Sequence, residues 1–156
     1  MNENPIKQAL QIAADLCKHF EGFSAVPYLC PAGYWTIGYG TVYKPDGSTV
    51  TAQHPPITRE TAEGWLMYEL EHNYMAAVLA RTPNVIKYPG VLAALTDFAY
   101  NLGGARYRAS TLARRVQAEQ WPEAVEQLKL WTRGGGRVLP GLVRRRAAEA
   151  KLFPQN

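Results

Sequence analysis

Glu21 is the acidic side chain in this sequence best placed to do chemistry. It follows an apolar helical stripe of Ile6, Leu10, Ala13, Cys17 and Phe20, and it is flanked by Phe20, Gly22 and Phe23. A carboxyl group in so half-apolar a setting has its pKa raised by desolvation, as a general acid working near neutral pH requires. Read from local context alone, it could equally be a solvated glutamate at a helix end. The other chemistry-bearing residues are sparse. Cys17, Cys30, His19, His54 and His72 show no CxxC or HxxxH spacing, so no metal site is expected. Two cysteines make no disulfide framework, and Cys17 lies on the apolar stripe as a packing residue.

The elements that must position Glu21 are legible around it. Asn4 followed by Pro5 starts a helix over about 5–20, with Gly22 as its stop. Residues 23–57 change character: glycines punctuate Tyr28, Tyr34, Trp35, Ile37, Tyr39, Val42 and Tyr43, and Pro45-Asp46-Gly47 marks a turn. Short antiparallel strands are expected there and nowhere else. Thr58 caps a long helix to about 81, with Ala62, Leu66, Leu70, Tyr74 and Ala77 on one face. At that length it spans ~30 Å and can connect two lobes. Further helices follow. One carries the stripe Val91, Ala94, Leu95, Phe98, Ala99 and Leu102, ended by Gly103-Gly104. Ser110 caps a short one, Pro122 opens the next, and Pro140 opens the last after a flexible break at Gly134-Gly135-Gly136. The fold class is α+β, with strands segregated from helices.

Length and charge narrow the rest. A chain of 156 residues with 47% hydrophobic and 19% charged side chains is a single globular domain. At this mass folding removes about 70% of the unfolded chain's surface from water, so no staple is needed. Residues 1–102 carry 6 basic and 9 acidic side chains, whereas residues 103–156 carry 11 and 4. The second half should face something anionic, such as nucleic acid, a membrane surface or the bacterial wall. Its arginines are spread among apolar residues with no recognition motif, so nucleic acid is not expected. No stretch reads as a membrane span or signal-peptide core, which suggests a protein made in the cytoplasm without stable membrane insertion.

Residues 21–41 carry a more specific signal. Glu21, eight residues, Cys30, five residues and Thr36 lead into the string Thr36-Ile37-Gly38-Tyr39-Gly40. This closely resembles the active-site signature of phage-type lysozymes, glycoside hydrolase family 24, in the variant with cysteine at the middle position. Downstream, Ala94 to Gly103, Ser110-Thr111-Leu112, Trp131 with Gly135-Gly136, and Leu139-Pro140-Gly141-Leu142 with Arg144-Arg145-Arg146 resemble the same family. The likeness runs from about residue 6 to 153.

The resemblance implies a lysozyme-like fold: a small β lobe over about 21–57, a connecting helix over about 58–81, and a helical lobe over about 82–156 joined by helix 5–20. It implies cleavage of the β-1,4 bond between N-acetylmuramic acid and N-acetylglucosamine in peptidoglycan, with inversion. Glu21 would be the general acid, and Thr36 would hold the attacking water. Cys30 departs from the commoner aspartate, and it would orient water as thiol or thiolate or be a plain turn residue. Tyr39, Val42, Tyr100, Asn101, Ser110 and Gln127 are candidates for sugar binding by motif position. Core packing or helix capping is as good a reading for each. Asp97 reads as structural, and Trp65 and Trp131 as core. One of Arg144, Arg145 and Arg146 should pair with a buried acid near Glu21, leaving the others as surface charge. Arg133 and Arg137 could reach the cleft. No cofactor is expected. The partner is peptidoglycan, the chain acts as a monomer, and access from the host cytoplasm to the periplasmic wall needs a holin lesion. The rivals are a lytic transglycosylase and a non-catalytic wall-binding protein of the same fold.

Overall fold

The first helix, α1 (Pro5–Glu21), starts where Asn4 accepts a hydrogen bond from the Ile6 amide at 2.9 Å. It ends because Gly22 takes a backbone φ of +72°, a left-handed turn that favours glycine. Glu21 is thereby the last helical residue. The computed structural model describes residues 4–155. Ala9, Leu10, Ala13, Ala14 and Cys17 form the buried face of α1 and pack on a later helix, α4 (Pro89–Leu102). The expected stripe on α4 is too narrow: all nine residues from Val91 to Ala99 are buried. α4 is the axis of the core, apolar nearly all round.

Between α1 and the long helix lie β1 (Ser24–Leu29) and β2 (Trp35–Gly38), which pair antiparallel. Tyr28 stands opposite Thr36 and Ser24 opposite Gly38, with an irregularity between the two pairs. Isolated bridges join Ile37 to Thr41 and Tyr43 to Thr49. The turn at Pro45-Asp46-Gly47 forms as expected, its Asp46 carboxylate accepting from the Ser48 amide and hydroxyl.

The long helix is not uniform. It runs as α2 (Arg59–Glu69), a π-helical turn over Leu70–Met75, and α3 (Ala76–Arg81). Thr58 caps it by accepting from the Thr61 amide. A π turn admits an extra residue and slips the phase of the apolar face. Ala62, Leu66 and Leu70 are buried as the 3.6-residue period predicts, but beyond the slip Met75 and Val78 are buried in place of Tyr74 and Ala77. Tyr74 is released toward the cleft.

The remaining helices are α5 (Gly104–Ala109), α6 (Thr111–Gln117), α7 (Trp121–Leu128) and α8 (Pro140–Ala150). The glycine run expected as a flexible break is instead a second hairpin. β3 (Arg133–Gly134) pairs with β4 (Arg137–Val138), and Gly135 and Gly136 both take positive φ in the turn. Two such residues in sequence fit a two-residue hairpin loop. Strands are therefore not confined to residues 23–57. The charge run at α8 is a second correction. Arg144 is exposed, but Arg145 and Arg146 are both buried, because each has a buried carboxylate to meet. Trp131 packs edge-on against Phe98 of the core, and Trp65 edge-on against His54.

Candidate active site

The C-terminal end of α1 delivers Glu21 to a cleft of about 520 Å³. Strand-region residues Tyr34, Gly40, Val42 and Tyr43 line one side. Glu69, Tyr74, Tyr100 and Asn101 line the other from the long helix and α4. A volume of this size suits a small-molecule or sugar-sized ligand.

Glu21 is held by Arg145, whose Nη1 donates to its Oε2 at 2.6 Å. The same guanidinium grips Asp97 with two hydrogen bonds, Nε to Oδ2 at 2.9 Å and Nη2 to Oδ1 at 2.8 Å. Asp97 also accepts from the Cys17 thiol at 3.1 Å. Burial pushes the Asp97 carboxyl upward, but its hydrogen bonds and the Arg145 charge outweigh this and hold it below the usual carboxylate range. Burial, with Asp97 beside it, pushes the Cys17 thiol well up, so it is a neutral donor. The expected apolar environment of Glu21 is thus corrected: a quarter of its side chain remains exposed and a guanidinium sits on one oxygen. Oε1 is left toward the cleft, beside Gly40. A Cβ at Gly40 would stand 2.9 Å from the Tyr100 hydroxyl and 3.2 Å from that Oε1, and its backbone φ is +94°. Glycine is required there on both counts.

Cys30 and Thr36 meet at the end of the β1–β2 hairpin. The Cys30 thiol is held below its ordinary range, chiefly by the Tyr34 backbone, with the Thr36 hydroxyl and the Ala32 and Gly33 backbone adding to it. Thr36 donates its one proton to the Tyr34 carbonyl at 2.9 Å, a bond it gives up when it turns to the Cys30 thiolate. Tyr28 links this pair to the acid: burial raises its phenol pKa, and the neighbouring Glu21 and Cys30 raise it further.

Of the proposed sugar-binding residues, Val42, Tyr100 and Asn101 line the cleft with Glu21. Tyr100 donates to the Tyr39 carbonyl at 2.7 Å, and Asn101 Oδ1 accepts from Arg146. The other three are placed elsewhere. The Tyr39 ring is buried against Phe23, with its hydroxyl toward Arg59. Ser110 is buried and fully engaged, accepting from the Ala113 amide and donating to the Tyr107 carbonyl. Gln127 sits half-buried on α7 and does not line the cleft; nor do Arg133 and Arg137. Sequence reasoning missed Tyr28, Tyr34, Tyr43, Glu69 and Tyr74. Four are aromatic side chains on or beside strands or in the π turn, where a solvent-facing tyrosine was signal enough to consider sugar stacking.

Arg146 belongs to the support of the site. It donates to Asn101 and Glu149, while its Nε forms an ion pair with Glu149 Oε1 at 2.7 Å that is off-line for a hydrogen bond. Burial, then Asp97, pushes the Glu149 carboxyl well up, against the pull of Arg146. Among the described residues no group of three or more His, Cys, Asp or Glu is placed to hold a metal ion, and no helix is long and apolar enough to cross a membrane.

Glu69 is the other carboxyl of the cleft. Burial pushes its pKa from 4.5 up to about 7, and the adjacent Thr41 hydroxyl offsets little of this. Neither Glu69 Oε1 nor Thr41 Oγ1 completes a hydrogen bond. A carboxyl whose folded pKa exceeds its unfolded value favours the folded state when protonated. Stability should therefore be full below pH 4.5 and fall as pH rises to about 7, by on the order of 3 kcal/mol. Glu69→Gln, which cannot ionise, is expected to melt about 5–10 °C above the wild type at pH 8 and close to it at pH 4. Thermal melts at the two pH values check this. Equal melting at pH 8 would mean that Glu69 ionises there without penalty.

Residues 18–149 match the phage lysozyme family. The chain belongs to that family. It is a lysozyme by this membership, and its relatives agree. It is 31% identical over 145 residues to the endolysin of Acyrthosiphon pisum secondary endosymbiont phage 1, covering 88% of this chain and 92% of the relative. It is 30% identical to the SAR-endolysin of Enterobacteria phage P21, covering 85% and 76%. Against the endolysin of Bacillus phage B103 this lysozyme spans only 52% of the relative's length. Among solved structures it resembles an endolysin from Escherichia coli O157:H7 phage FAHEc1, with a TM-score of 0.78, 31% identity and coverage of 91% and 90%. The muramidase domain of SpmX from Asticaccaulis excentricus gives 0.74 at 30% identity, covering 92% and 95%.

Proposed function

We propose that this lysozyme is an endolysin that hydrolyses the β-1,4 bond between N-acetylmuramic acid and N-acetylglucosamine in peptidoglycan, with inversion, to lyse a bacterial host. The observation that supports it best is Glu21 at the cleft, with one oxygen fixed by Arg145 and the other free toward Gly40. In this reading Glu21 Oε1 carries the proton to the leaving glycosidic oxygen. Arg145, shared with Asp97, fixes the orientation of the carboxyl rather than neutralising it outright.

Water attacks from the opposite face of the sugar. Thr36 accepts a hydrogen bond from it through a hydroxyl lone pair, while its own proton goes to the Tyr34 carbonyl or the Cys30 thiolate. Cys30, drawn toward its thiolate by the Tyr34 backbone, takes up the water's proton. An inverting acid and base stand roughly 6.5–9.5 Å apart to leave room for that water. Val42, Tyr34, Tyr43, Tyr74, Tyr100 and Asn101 bind the glycan, the aromatic faces against pyranose rings. Tyr39, Ser110 and Gln127 serve the sugar only indirectly, through the packing and capping of the elements they sit on. The basic half-chain of residues 103–156 docks on the anionic wall. The enzyme acts as a monomer and needs no cofactor. It reaches the periplasmic wall from the host cytoplasm after a holin opens the membrane.

Muropeptide mass spectrometry tests the reaction. Hydrolysis adds one water to each cut, whereas transglycosylation leaves a 1,6-anhydro end. Cys30→Ala is expected to lower kcat about 100-fold with little change in KM, and Cys30→Asp to recover most of the loss. A Cys30→Ala enzyme at the wild-type rate would reduce Cys30 to a turn residue. A trapped sugar–Cys30 adduct would mean retention instead of inversion. Absence of any cut would favour a wall-binding protein.

A further inference from the structure

The long helix changes its winding at one point, and that point is in the cleft. Glu69 closes α2 immediately before the π turn, and Tyr74 leaves the turn on the cleft side. π turns inside α-helices occur frequently at functional sites. Without the slip, Tyr74 would be on the core face of this helix. With it, Glu69 and Tyr74 both face the cavity that holds Glu21.

Glu69 is poorly explained as a structural residue. Its side chain is 8% exposed, yet no ion pair reaches it among the described residues. Glu69 Oε1 and the neighbouring Thr41 Oγ1 are both buried without a hydrogen-bond partner. Buried polar groups are normally paired; here the Glu69 carboxyl and the Thr41 hydroxyl face each other without closing a hydrogen bond, and the same carboxyl lines the cleft, where a ligand can complete the arrangement. Among the described residues, no element packed against the site supplies Glu69 with a cation, and the only hydroxyl set against it is that of Thr41. From α1 comes another acid, Glu21; from α4 comes Tyr100, whose hydroxyl is committed to Tyr39; its own helix supplies Tyr74; the strand region supplies Tyr34 and Tyr43. Arg145 of α8 is committed to Glu21 and Asp97. The phenols of Tyr74 and Tyr100 feel both Glu69 and Glu21, which places the two acids around one space.

We propose that Glu69 is a glycan-binding residue: in its acid form it donates a hydrogen bond to the N-acetyl carbonyl oxygen, an acceptor only, of the sugar bound beside Glu21. Thr41 turns its hydroxyl to the second carboxyl oxygen, so both orphaned atoms are satisfied when the sugar arrives. The proton stays on Glu69 throughout, and no bond is made or broken. This rests on the glycan-cleaving function proposed above and adds a residue that sets affinity rather than rate. The elevated pKa of Glu69, about 7, fits a carboxyl kept as a donor in mildly acidic to neutral conditions. Above that range the donor becomes a carboxylate, and a sugar acceptor is repelled.

The test is calorimetric binding of a soluble N-acetylglucosamine oligomer at pH 6 and pH 8.5, with cleavage of purified peptidoglycan measured alongside. Wild-type affinity should fall at least tenfold between the two pH values, and KM should follow while kcat does not. Glu69→Gln keeps the shape and a donor, so it should bind at both pH values as the wild type does at pH 6. Glu69→Ala should bind weakly at both. The wild type and Glu69→Gln decide the matter even where Glu69→Ala fails to fold. A wild-type affinity without pH dependence overturns the proposal, as does the same dependence surviving in Glu69→Gln. The expected binding pattern in a protein that leaves peptidoglycan uncut would instead bring down the hydrolase reading and leave the Glu69 site in place. No oligomer binding at pH 6 would overturn the Glu69 proposal, while the hydrolase reading stands or falls on the peptidoglycan cleavage measured alongside.

Discussion

Glu21→Gln is expected to lower the rate of peptidoglycan cleavage by at least about 10³-fold while the protein remains folded. General acid catalysis by a positioned side chain contributes roughly 10²–10⁴-fold, and breaking a glycosidic bond without protonating the leaving oxygen is at the demanding end. Glutamine has the same shape and can still accept from Arg145 through its amide oxygen, but it has no proton to give. The fold should survive because Arg145 keeps its two hydrogen bonds to Asp97. The partner lost is a carboxylate already a quarter exposed, whose contribution to stability water screens. Loss of turbidity of a peptidoglycan suspension, read beside a thermal melt, separates the two effects. A Glu21→Gln protein that clears the suspension at even a tenth of the wild-type rate would remove Glu21 from the role of acid.

Arg145→Met carries the largest expected effect on stability, a loss of about 3–5 kcal/mol. Removing one member of a buried ion pair leaves the other as an uncompensated charge in a poorly polarisable interior. Asp97 is fully buried in α4, and beyond Arg145 its hydrogen-bond partners are the uncharged Cys17 thiol and the Glu149 carboxyl, neither of which supplies a positive charge. Unfolding in urea should show the loss, equivalent to a fall in Tm of about 10 °C for a chain of this size. Arg145→Lys should be intermediate, since an ammonium group restores the charge but not the planar fork that spans Asp97 and Glu21. Adding Asp97→Asn to Arg145→Met should recover much of the loss, because no isolated charge then remains. A cost below 1 kcal/mol for Arg145→Met would show that Asp97 finds another way to be neutralised.

The parts of this structure that could be read from sequence are those decided locally. Asn4 and Gly22 bound α1, so Glu21 could be placed at a helix end with no knowledge of the rest. The hairpin turn at Pro45-Asp46-Gly47, the Ser110 cap and the antiparallel strands likewise follow from neighbouring residues. The α+β class followed from them. What escaped was decided at a distance. Arg146 looks like solvated charge in a run of three, and only Glu149 and Asn101 explain its burial. The glycines at 134–136 signal freedom until β3 and β4 pair across them. Glu69 reads as one more acid on a helix in sequence, because a phase slip leaves no mark in residue types that differs from an ordinary amphipathic pattern. The candidate site divides the same way. Glu21, Cys30 and Thr36 were singled out by their spacing and glycine-aromatic context, and of the three only Glu21 lines the cleft. Tyr28, Tyr34, Tyr43 and Tyr74 needed the cleft to be seen.

The bond from Arg145 to Glu21 joins positions 124 residues apart. It connects an acid made early in synthesis to a cation made late. Domains are built from the N-terminus as the ribosome advances. A nascent chain therefore displays Glu21, Cys30 and Thr36 well before the residue that orients the acid exists. The order of translation delays the bracing of Glu21 until residue 145 has emerged. A chain interrupted before that point would hold its signature residues in sequence without the guanidinium that fixes the Glu21 carboxyl.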